Sequence, residues 1–116
     1  MGTLVETAGL PPLVATILRP WVNSVEAAPL GMGDVVIAEA SSTATSLKRR
    51  VKVEPALDAA IMKAVATSAL LAAALNHKNA ETAELRATAL AALAKMVGEL
   101  RLVEPSESTR ALGLGW

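Results

Sequence analysis

The chain has 116 residues, 53% of them hydrophobic and 19% charged, which excludes a disordered segment and suits a single domain with a modest core. Eleven basic and eleven acidic side chains cancel, so overall charge gives no pull toward nucleic acid or an anionic membrane. Cysteine is absent, and with no Phe, no Tyr and two Trp, the core falls to Leu, Val, Ile, Met and Ala, while disulfides, thiolate metal sites and a cysteine nucleophile are excluded.

Residues 1–34 read as an irregular N-terminal segment holding one short helix. Glu6 and the lack of a basic stretch before residues 10–18 argue against a secretory signal. Pro11-Pro12 can open a helix through Leu18, since proline is tolerated in a first turn. Pro20 is expected to stop it by restricting Arg19 to extended geometry. Trp21 is expected to anchor the segment on the core, and Pro29 with Gly31-Met32-Gly33-Asp34 marks a turn.

Residues 35–54 read as a β-hairpin. Val35-Val36-Ile37 has high strand preference, and Ser41-Ser42-Thr43-Ala44-Thr45-Ser46 reads as a polar connection. On the return strand, Lys48, Arg50 and Lys52 alternate onto one face, with Leu47, Val51 and Val53 on the other and Arg49 the exception. That basic face is a candidate contact for nucleic acid, by neutralising phosphates or entering a groove as a ribbon, or for a protein partner.

Residues 55–103 read as an antiparallel helical hairpin rich in Ala and Leu. Pro55 and Asp58 suit the start of the first helix, which is expected to run to about Leu75. Asn76-His77-Lys78-Asn79 is a polar break, with Asn79 as the expected N-cap of the second helix, and Glu104-Pro105 closes that helix. The first helix is apolar on every side, and such a helix is expected to be covered on every side. The second carries a solvent face of Glu81, Glu84, Thr88, Lys95 and Glu99 and a large-residue face that includes Leu85, Leu90, Leu93 and Met96. Between them runs a ridge of small residues, Ala83, Ala87, Ala91, Ala94 and Gly98, against which a neighbouring backbone can come close. The longest charge-free apolar stretch here, 64–75, is shorter than the roughly 20 residues a membrane span needs. No membrane partner is therefore expected.

Residues 104–116 read as an extended tail ending in Leu112-Gly113-Leu114-Gly115-Trp116. Tryptophan is a frequent hot-spot residue, so Trp116 joins the alanine–glycine ridge as a candidate oligomer contact.

Chemistry is sparse by comparison. His77 is the single histidine and lies in the polar turn, while Glu81 and Glu84 are helix-start carboxylates on an exposed face. General acid–base work needs a desolvated group, and the pattern places none. The Gly31-x-Gly33 pair is too short for a dinucleotide fingerprint, and no phosphate-binding loop pattern occurs. The expectation is a non-enzymatic protein with no catalytic residue, cofactor or metal.

The run Arg50-Val51-Lys52-Val53-Glu54-Pro55-Ala56-Leu57, a basic alternating strand leading through proline into a helix, resembles the start of a ribbon-helix-helix repressor. That resemblance implies an intertwined dimer with Lys48, Arg50 and Lys52 reading a DNA groove. A strand followed by two helices near the C-terminus is also similar to small RNA-phage coat proteins. A solvated or protein-facing basic strand is the favoured reading of the same residues.

The expected fold is mainly α: a short N-terminal helix and a β-hairpin, then the helical hairpin and an extended tail, in a single domain spanning 1–116. The expected function is that of a structural or assembly subunit, homo-oligomeric or seated among neighbouring subunits, such as a virion shell or connector component. It would be cytoplasmic or in a virion. The alternative is a small dimeric DNA- or RNA-binding regulator using residues 47–53.

Overall fold

In the computed structural model, which describes residues 5–7, 9–78 and 81–103, four helices follow one another: α1 (Pro12–Ala27), α2 (Gly33–Arg50), α3 (Pro55–Asn76) and α4 (Thr82–Leu100). The helix α3 lies between α2 and α4, and α1 packs on α2 and α4 to close the bundle. The expected hairpin of helices at 55–103 is present as α3 and α4. The expected tail and the Asn79 cap lie outside the described residues.

Two expectations about the first half are overturned. Pro20 does not stop α1, which continues to Ala27. Proline inside a helix costs about 3 kcal/mol through a lost hydrogen bond and a clash with the preceding turn. Beyond Pro20, however, α1 buries Trp21, Val22 and Val25 in register with Val14 and Leu18. Full burial of an aliphatic side chain contributes roughly 1.5–3 kcal/mol, so continuing the helix outweighs the proline.

The β-hairpin at 35–54 is not formed, because residues 33–50 are helix α2 and no strand occurs among the described residues. Strand preference in Val35-Val36-Ile37 competes with a longer helical period. Val36, Ala40, Thr43, Ala44 and Leu47 recur at steps of three and four and are all buried, and that stripe covers α3 and α1. The serine and threonine run is the middle of the helix. Ser41, Ser42 and Thr45 point to solvent, while the buried Thr43 hydroxyl donates to the Ile17 carbonyl at 3.4 Å. Without its strand, the likeness to ribbon-helix-helix and phage coat proteins loses the element that carried it.

Side chains close the helix ends across the bundle. Asn76, at the end of α3, accepts the Gly33 N–H on Oδ1 at 2.9 Å and donates from Nδ2 to Asp34 at 3.1 Å, so the C-terminus of α3 caps the N-terminus of α2. Gly31, at φ +91°, donates its N–H to the Leu75 carbonyl at 2.7 Å. A Cβ on Gly33 would stand 2.1 Å from the Ala72 carbonyl oxygen, so only glycine permits this approach. At the same end of the bundle, Arg86 of α4 donates to the Val25 and Ala28 carbonyls at 2.6 and 2.7 Å, satisfying orphan acceptors at the end of α1. Trp21 fulfils its expected anchoring role: fully buried, it donates Nε1–H to Ser68 Oγ at 3.0 Å.

Candidate interaction surface

The polar chemistry remains dispersed. His77 is exposed in the turn after α3, and Glu81 and Glu84 are exposed at the start of α4. Among the described residues no three His, Asp or Glu side chains gather in a way that could hold a metal ion.

The basic residues 48–52 do not share a strand face. Lys48 and Arg50 stand with Arg49 in the last turn of α2, all exposed, where positive charge complements the negative end of the helix dipole. Lys52 lies in the connector and pairs with Glu54 at 3.5 Å, both well exposed. Such a pair contributes little to stability. The groove-reading geometry required alternation along a ribbon, and these residues follow a helix end instead.

On α4 the expected ridge of small residues divides. Ala83, Ala87 and Ala91 are exposed, whereas Ala94 and Gly98 are half-buried. The buried face of α4 is Ala89, Leu90, Ala92, Leu93, Met96, Val97 and Leu100. Trp116 lies outside the described residues.

The largest departure concerns α3, which is not covered on every side. Its buried face comprises Leu57, Ala60, Ile61, Ala64, Ser68, Leu71 and Leu75, with Thr67, Ala72 and Ala74. The residues left exposed between positions 59 and 73 are Ala59, Met62, Lys63, Ala66, Leu70 and Ala73. At about 100° per residue they form one stripe along the helix. Met62 is 60% exposed and Leu70 58%, and Lys63 is the only charge among them. Sequence reasoning missed this stripe because the apolar residues all round α3 gave no direction to its outer side. Lys63 was the available signal, since a charge in the middle of such a helix marks the side that meets water.

The stripe has polar edges. Toward α2, an open groove of about 420 Å³ is lined by Ser41, Ala44, Thr45 and Lys48 together with Ile61, Met62, Val65 and Ala66. Toward α4, Ala59 and Lys63 share a second groove of about 400 Å³ with Lys95 and Glu99. An apolar centre bounded by polar groups has the layout of a protein–protein contact. By length and composition α3 is also apolar enough to cross a membrane, a test that core helices pass as well, and 44% of its apolar window is buried within the chain. Comparison with family models, curated proteins and solved structures finds no match for this chain.

Proposed function

We propose that this chain is a non-enzymatic assembly subunit that self-associates through an apolar helix face. The observation that carries the reading is the exposed stripe of α3, in which Met62 and Leu70 are each more than half exposed. Scattered apolar residues on a surface need no explanation, but an apolar strip along one helix, with Lys63 and other polar groups at its border, marks a site of association. The non-enzymatic part of the reading is supported by the exposure of His77, Glu81 and Glu84 at the helix ends, outside any enclosed cleft among the described residues that could hold a substrate against them.

The native mass in solution tests this directly. The wild-type chain is expected to be oligomeric at micromolar concentration, and Met62→Glu combined with Leu70→Glu is expected to reduce it to a folded monomer. A wild-type chain that stays monomeric at micromolar concentration overturns the proposal.

A further inference from the structure

We infer that self-association pairs α3 with α3 of a second copy, antiparallel, about a two-fold axis passing beside Ala66. This rests on the self-association proposed above and specifies its partner and geometry. A two-fold contact requires one patch to complement itself after a half-turn. The stripe has that property. Ala59 and Ala73 lie seven residues on either side of Ala66, and Met62 and Leu70 lie four on either side. Apart from Lys63, which lies on the edge toward α4, the order read in either direction is small, large, small, large, small.

In the antiparallel arrangement Met62 of one copy stands beside Leu70 of the other at the same height, on the opposite side of the seam. Alanine meets alanine at the levels of 59, 66 and 73, so the helices can approach to about 8 Å, the short end of the usual range. From 59 to 73 the seam is about 21 Å long. With the borders contributed by α2 and α4, the area removed from water is on the order of 1,000 Å², the threshold for a specific interface.

Charge selects antiparallel over parallel pairing. Around the N-terminal half of the stripe, Lys48, Lys63 and Lys95 outnumber Glu99. At its other end, Asp34 is joined to Asn76, and Glu81 and Glu84 open α4 just after α3 ends; together they outnumber Lys78. An antiparallel pair brings the basic half of each copy toward the acidic end of the other. A parallel pair would set like against like. Opposed helix dipoles favour the same choice.

The lack of native cysteine makes the geometry testable by single-cysteine cross-linking in the full chain. All three positions to be replaced are exposed, so the variants retain the core. Under a mild oxidant Ala66→Cys is expected to form a covalent dimer, because its two copies flank the axis within disulfide reach. Met62→Cys mixed with a differently tagged Leu70→Cys is expected to give the mixed dimer. Met62→Cys alone is expected to give none, since its two copies stand about 12 Å apart along the seam.

A native oligomer that cross-links through Met62→Cys alone, or through none of these positions, overturns the antiparallel pairing and leaves self-association standing. A wild-type monomer overturns both. So does a monomer that co-floats with phosphatidylglycerol vesicles and loses that binding on Met62→Glu with Leu70→Glu.

Discussion

A few contacts between distant residues hold the helices in register, and each is open to a single substitution. Gly33 is the tightest. Its Cα lies against the Ala72 carbonyl, where an added Cβ would come within 2.1 Å of backbone oxygen. Backbone cannot rotate aside as a side chain can, so Gly33→Ala must push α2 off α3 and strain the Asn76 cap. The expected cost is about 2–3 kcal/mol, typical of severe overpacking, measured as a lower midpoint in urea. Trp21 and Ser68 form a second such point. Ser68→Ala leaves the fully buried indole N–H without its acceptor and is expected to cost about 1–3 kcal/mol. Combining it with Trp21→Phe removes the stranded donor. The double variant is therefore expected to lose less than the sum of the two single changes, as a double-mutant cycle in denaturant would record.

Among the elements, α1 carries a defect that the fold tolerates. Pro20 is exposed on the outer side of α1, in the helix interior, and cannot donate a backbone hydrogen bond to the turn before it. Pro20→Ala restores that donor without touching the buried face and is expected to stabilise the chain by about 1–3 kcal/mol. A higher urea midpoint with an unchanged slope would show it. The same proline illustrates what could and could not be read in advance. Helices α3 and α4 were legible because their apolar residues persist over many turns and a polar break separates them. Helix α1 past Pro20 and all of α2 were not, because local signals pointed elsewhere: a breaker at 20, β-branched residues at 35–37, hydroxyls at 41–46. In each case burial against other helices decided the outcome, and that is a property of the assembled bundle. The stripe at 36, 40, 43, 44 and 47 was present in the sequence, yet a Thr at 43 and Ala at 40 and 44 gave it too little contrast to compete with Val35-Val36-Ile37. The outer side of α3 was hidden for the opposite reason, since every side of that helix looked buried.

For the whole molecule, the balance between core and surface is what association would change. A core that joins all four helices is compatible with a folded single chain, so folding and association are separable here. If copies associate in the native state and part on unfolding, mass action requires the melting temperature to rise with protein concentration. Each tenfold increase adds about 1.4 kcal/mol per mole of dimer, or about 0.7 per chain. For a chain of this length that corresponds to roughly 3 °C. The wild-type chain is expected to follow this slope from micromolar concentrations upward. Met62→Glu with Leu70→Glu is expected to melt at one temperature throughout, because both side chains are exposed and their loss leaves the core intact. A wild-type melting temperature that stays flat over a hundredfold range, with full reversibility, would mean that the α3 stripe faces water in the working protein.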